Sequence, residues 1–259
     1  MNQSERRMFL IRSLLKEKTE YRNIEIPAEA ESQRQLLRGL MNIRTPQSAD
    51  EEFLKAQDAY LQGETAAKGV TDIAELTPVQ PGLYLWQGDI TTLRCDAIVN
   101  AANSGMTGCY VPNHRCIDNA IHTFAGVELR LACEELMEQQ GYPEPTGRAK
   151  ITPAFNLPCK YVLHTVGPII DGRVTRQDRE LLASCYRSCL EMAAENGLES
   201  VAFCCISTGE FHFPNEQAAE IAVETVKQFM NTKTSVEKVI FNVFKDLDKE
   251  IYARLLNAD

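Results

Sequence analysis

The sequence predicts an α/β fold: a mixed, largely parallel sheet sandwiched between helices, preceded by an N-terminal helical extension. Three observations carry this. Residues 1–76 show only helical periodicity, the segment TPVQPG at 77–82 breaks it, and from residue 83 β-rich runs alternate with amphipathic ones. Such alternation implies parallel strands joined by crossover helices that cover both faces of a sheet. At 259 residues and 44% hydrophobic content, the chain can bury one large unit over 77–259 and a smaller one over 1–76.

In the extension, Met8, Ile11, Leu14 and Leu15 form one helical stripe, and Leu36, Leu37, Leu40 and Met41 form another. Ser48-Ala49-Asp50-Glu51 reads as a capping box opening a third helix with Phe53, Leu54 and Tyr60. No His or Cys lies in 1–76, so this part is expected to pack against the main unit rather than carry chemistry. Strands are expected at 83–87, 97–100, 149–155, 161–166, 201–206 and 239–244. Helices are expected around Ile117, Ala120, Ile121 and Phe124, around Leu181, Leu182, Cys185, Cys189 and Met192, and around Ala218, Ile221, Ala222, Val226 and Phe229. Ligands of such sheets bind beyond the carboxyl ends of the strands.

A formal charge of -9 opposes nonspecific binding to phosphate backbones, so no nucleic-acid partner is expected. A small phosphate-bearing ligand is compatible with that charge, because backbone N–H groups and helix N-termini bind phosphates without basic side chains. Apolar runs such as 201–206 are far shorter than the ~20 residues needed to span a bilayer, so no membrane partner is expected. The N-terminus reads as an amphipathic helix rather than a signal peptide, since Arg12 interrupts its apolar run. Nine cysteines, an odd number, with Cys185, Cys189, Cys204 and Cys205 at apolar positions, point to a reduced, cytoplasmic setting.

Chemistry concentrates in VNAANSGMTGCYVPNHRCIDNAIHTFAG, residues 99–126. Asn100 and Asn103 could bond a sugar hydroxyl or merely shape a tight turn. Cys109, His114 and Cys116 offer two thiolates and an imidazole within eight residues, a donor set suited to zinc. A Cys109–Cys116 disulfide, disfavoured in a reducing compartment, and an unliganded trio are the alternatives. Three protein ligands without an evident fourth would leave an open position, the mark of catalytic zinc. Asp118 opens the next helix, where a carboxylate complements the helix dipole or reaches the site. His122 and His164 read as core residues, and His212 as a loop residue.

Ordered blocks across 83–255 resemble the macrodomain family: GDIT at 88–91, DAIVNAAN at 96–103, AIHTFAG at 120–126, TGRAKITPAFNLPCKYVLHTVGP at 146–168, LLASCYRSCLEMAAENGL at 181–198 and STGEFHFP at 207–214. The resemblance implies ADP-ribose as ligand. It implies that Asp89, with the Ile90 backbone beside it, meets the adenine amino group, and that Phe244 stacks on the adenine. Asn100 and Asn103 would face the distal ribose. Ser207, Thr208, Gly209, Glu210 and Phe211 would wrap the pyrophosphate, with Gly209 supplying backbone freedom.

Where common macrodomain hydrolases carry a glycine-rich run, this chain has GCYVPNHRC, 108–116. That departure resembles the zinc-containing macrodomains of bacteria, which also carry an N-terminal helical extension. It implies zinc as cofactor on Cys109, His114 and Cys116, Asp118 for water positioning or proton transfer, and hydrolysis of mono-ADP-ribose from modified proteins, with ester links to Asp or Glu favoured. A lipoate-linked carrier protein is the substrate associated with that branch. The competing readings are an ADP-ribose-binding reader module without hydrolysis, and an O-acetyl-ADP-ribose deacetylase.

Overall fold

The computed structural model describes residues 1–257; positions 258 and 259, the end of the expected main unit, lie outside the described residues. Helix α1 (Gln3–Glu17) starts at Asn2, whose side chain caps the Glu5 N–H while Glu5 returns the bond. It buries Leu10, Ile11 and Leu14 against α2 (Ala30–Ile43) and α3 (Glu51–Lys68). Helix α3 is capped by Asp50, which accepts from the Phe53 N–H at 2.7 Å, and not by Ser48 as the expected capping box required. The reason is Arg44: its guanidinium takes the carbonyls of Gln47 and Ser48 at 2.8 and 3.0 Å and holds them outside the helix. The three helices share an apolar cluster with Phe53, Tyr60, Leu61 and Val127.

The remaining elements follow as β1 (Thr71–Asp72), β2 (Leu83–Gln87), β3 (Leu93–Arg94), β4 (Ala97–Ala102), α4 (Ile117–Ala125), α5 (Val127–Gln140), β5 (Ala149–Pro153), β6 (Tyr161–Val166), α6 (Arg176–Glu195), β7 (Ser200–Phe203), α7 (Asn215–Met230), β8 (Lys238–Val243) and α8 (Asp246–Leu256). All six expected strands are present, two with the expected limits. Helices α5 and α8 were not anticipated: their charged residues blur the apolar stripe, and α5 buries only Val127, Leu129, Arg130 and Cys133. Strands β1 and β3 pair in parallel as a separate ribbon.

The main sheet runs β2-β8-β7-β4-β6-β5, parallel throughout except for the antiparallel edge strand β5. Its two faces are identified by alternation along β6. The His164 side chain meets Cys133 of α5, whereas that of the next residue, Thr165, meets Cys185 of α6. The mixed, mostly parallel sheet between helices expected from the sequence is therefore the observed architecture. Its parallel strands β2, β8, β7 and β4 are neighbours, so the loops that follow them emerge side by side at their carboxyl ends.

Candidate active site at the carboxyl ends of the strands

Four segments meet there: 88–92 after β2, 103–116 after β4, 204–214 after β7, and Phe244 after β8. Asp89 lies in the first, where it caps the turn Ile90–Thr92. Its Oδ1 accepts from the Thr91 N–H at 3.0 Å and the Thr91 hydroxyl at 2.6 Å, and its Oδ2 from Lys68 Nζ at 2.9 Å. Burial works against its ionisation, but the bonds from Thr91 and Lys68 prevail and hold the carboxyl below its ordinary value. Ile90 is buried, so only its backbone can serve a ligand. Phe244 presents an open aromatic face, 76% exposed. The Lys68 ammonium lies 3.4 Å from the centroid of the Phe124 ring, a cation–π contact that brings the last residue of α3 to this end of the site. Nothing in the helical pattern of 51–68 signals this.

The segment after β7 is bent by Ser207 and His212, both with φ in the left-handed region, 65° and 56°. Gly209, expected to supply the conformational freedom, does not use that region. Its contribution is open space: no atom lies within 4 Å of where its Cβ would be. Thr208 is tied back to the Cys205 carbonyl by its N–H at 3.4 Å and its hydroxyl at 3.0 Å. The Phe211 carbonyl accepts from the Ile170 N–H at 2.9 Å. Ser207 Oγ is buried without a partner, and it packs so closely on Gly167 that a Cβ there would stand 2.0 Å from it. Gly167 lies within a block that the sequence singled out, yet its role is legible only from this contact.

Asn100, within β4, is fully buried, and Asn103, just after the strand, is exposed. Together they clamp Asp118 of α4: Asn100 Nδ2 donates to Oδ1 at 2.8 Å and Asn103 Nδ2 to Oδ2 at 3.3 Å. Burial pushes the Asp118 carboxyl up to about 6 against the pull of Asn100, Arg130 and Asn103, a base strength suited to neutral pH. The Asn100 amide also meets His164 Nδ1 at 3.2 Å. Donation to Asp118 settles the amide orientation, so Nδ1 accepts and the His164 proton sits on Nε2, facing the Thr152 hydroxyl at 2.9 Å. His122 is packed beneath, its Nε2 3.6 Å from Asp118 and neither ring nitrogen hydrogen-bonded.

Cys109, His114 and Cys116 converge, their donor atoms all within 4.8 Å of one another. Cys109 Sγ stands 3.6 Å from His114 Nδ1. Tetrahedral zinc with Zn–S of about 2.3 Å and Zn–N of about 2.0 Å separates two such donors by about 3.5 Å, close to the observed spacing, so the residues fit the ion. All nine cysteines are free, Cys109 and Cys116 included, so the disulfide alternative is not what the structure shows. His114 Nε2 faces Glu210 Oε1 at 3.6 Å, linking the metal loop to the segment after β7. Among the described residues, no helix is long and apolar enough to cross a membrane.

The chain is similar to known proteins over most of its length. The Macro domain family matches residues 99–222. A protein-ADP-ribose hydrolase of Treponema medium is 57% identical, covering 99% of this chain and 100% of its own. A protein of the same name from Staphylococcus aureus (strain MSSA476) is 47% identical, with 97% and 95% covered. Among solved structures, the Oceanobacillus iheyensis macrodomain with ADP superposes with a TM-score of 0.63 at 36% identity over 71% of this chain and 94% of that one. The Trypanosoma brucei macrodomain in complex with ADP-ribose gives 0.65 at 29% over 85% and 95%. With a relative this similar over its full length, and with the sheet order and carboxyl-end loops described above, the chain belongs to the macro domain family.

Proposed function

We propose that the chain is a zinc-dependent hydrolase that removes mono-ADP-ribose from modified protein side chains, acting on ester links to Asp or Glu. The relatives named protein-ADP-ribose hydrolase match over nearly the whole chain, which supports the activity. The observation that carries the zinc-dependent reading is the ligand trio beside the Asp118 clamp. Two thiols and an imidazole, with donor atoms within 4.8 Å of one another, lie in the loop that leads into α4, whose first turn carries the carboxylate held by Asn100 and Asn103.

In this reading Asp89 accepts from the adenine amino group, the Ile90 backbone lies beside it, and Phe244 stacks on the ring. Ser207 to Phe211 wrap the pyrophosphate with backbone amides. Asn103, exposed at the rim, orients the distal ribose, while buried Asn100 acts through Asp118 by fixing its rotamer. Asp118, with its carboxyl near about 6, positions water or takes its proton. Cys109, His114 and Cys116 would hold the zinc, which would supply Lewis-acid polarisation of water or of a substrate oxygen. An ester is favoured because its leaving carboxylate needs little protonation. A lipoate-linked carrier protein is the proposed substrate class, and a reducing, cytoplasmic compartment the proposed setting.

The test compares wild type, chelated protein and Asp118→Ala for release from acidic-residue-linked and serine-linked ADP-ribose, with calorimetric binding of free ADP-ribose alongside. Chelation should abolish ester hydrolysis while lowering affinity only modestly, because Asp89 and 207–211 lie outside the metal loop. Full ester hydrolysis by chelated protein would rule out catalytic zinc.

A further inference from the structure

Between the metal loop and helix α2 lies a hydrogen-bond array that the reaction scheme does not use. Asn119, fully buried, is at its centre. Its backbone N–H points at Cys116 Sγ at 3.4 Å, and its Nδ2 donates to the Val111 carbonyl at 3.0 Å and toward that of Cys109 at 3.5 Å. Its Oδ1 accepts from Arg38 Nε and Nη2 at 3.3 and 2.8 Å. The same Nη2 donates to the His114 carbonyl at 3.0 Å. Arg38 and Asn119 thus reach the chain at all three ligand residues.

One turn along α2, Asn42 accepts from the Asn113 N–H at 3.0 Å and donates to Thr123 at 2.9 Å. Asn113 is in the left-handed region, φ 56°, and this bond holds the turn that presents His114. From α5, buried Arg130 donates to the Thr107 carbonyl at 2.7 Å, to the carbonyls of Met41 and Asn42 at the end of α2, and to that of Arg44, which caps it. The metal loop is therefore bonded on one side to the N-terminal extension, whose helix end is itself tied to the main unit.

We propose that Arg38 and Asn119 are positioning residues of the metal centre, an outer shell that holds Cys109, His114 and Cys116 at ligand spacing and makes α2 part of the site. This rests on the zinc reading above. A loop of eight residues carrying three ligands has many other conformations open to it. Bonds that remove those conformations before the ion arrives raise its affinity, and loss of an outer-shell partner typically weakens metal binding by 10- to 100-fold.

The experiment measures zinc affinity of the full chain by competition with a chromogenic chelator, for wild type, Arg38→Met, Arg38→Lys, Asn119→Ala and Cys109→Ala. The thermal midpoint of each metal-free protein reports on the fold. Arg38→Met should bind zinc about 10- to 100-fold more weakly with its metal-free midpoint close to wild type. Arg38→Lys should fall between, because an ammonium lacks the fork that reaches both His114 and Asn119. If Asn119→Ala does not fold, Arg38→Met decides alone. Wild-type zinc affinity in Arg38→Met beside a loss in Cys109→Ala overturns the outer shell and leaves the zinc reading standing. So does a collapse of its metal-free midpoint, which would make Arg38 a folding residue only. Full zinc affinity in Cys109→Ala overturns the zinc reading itself.

Discussion

His164 stands behind the site, and its response to pH follows from its surroundings. The ring is fully buried in β6. It is bracketed by Asn100 and Thr152, with Cys133 Sγ 3.8 Å from Nε2 and the His122 ring centroid 6.2 Å away. Burial lowers its pKa from 6.5 to about 3. The unfolded chain binds a proton here below about pH 6.5, whereas the folded chain does so only near about pH 3. Stability from neutral His164 is therefore complete above the unfolded value and declines as the pH falls.

Integrated from about pH 7.5 to about pH 5, that difference in proton uptake amounts to a loss of about 2 kcal/mol. Asp118, raised to about 6, works the other way, because the folded state keeps a proton that the unfolded state releases. Comparing wild type with His164→Gln cancels that contribution, and Gln retains one donor and one acceptor for Thr152 and Asn100. Urea unfolding at both pH values should show wild type losing about 2 kcal/mol more than the variant. Equal losses would refute the claim that burial keeps His164 neutral.

Two further substitutions probe the ligand-binding segments. Asp89→Ala should weaken ADP-ribose by about 1.5 to 3 kcal/mol, the range of a hydrogen bond to a charged group, and unchanged affinity in calorimetry would remove Asp89 from the adenine end. Gly167→Ala should push Ser207 aside, since the new Cβ would lie 2.0 Å from its Oγ and 2.9 Å from Ile206 Cγ2. Overpacking of this kind destabilises by about 1 to 3 kcal/mol. Together with that loss, ADP affinity should fall about tenfold, or roughly 1.4 kcal/mol. Wild-type ADP affinity in this variant would separate the segment after β7 from pyrophosphate binding.

Periodicity alone determined the layered α/β order, because apolar residues repeat every two positions in strands and every three to four in helices wherever one face is buried. The clustering of donor side chains over 109–118, with the family resemblance, singled out Cys109, His114, Cys116 and Asp118, since short loops keep neighbours in sequence near each other in space. The helix limits near Ser48 and the existence of α5 and α8 escaped periodicity, being settled by Arg44 and by packing rather than by local pattern. The tertiary structure decided what distant residues do: that Asn100 is buried and holds Asp118 while Asn103 stays at the rim, that Lys68 reaches Asp89, and that Arg38 meets Asn119 across 81 positions. Such contacts leave no periodic trace, because a hydrogen bond constrains two atoms in space and says nothing of the sequence between them.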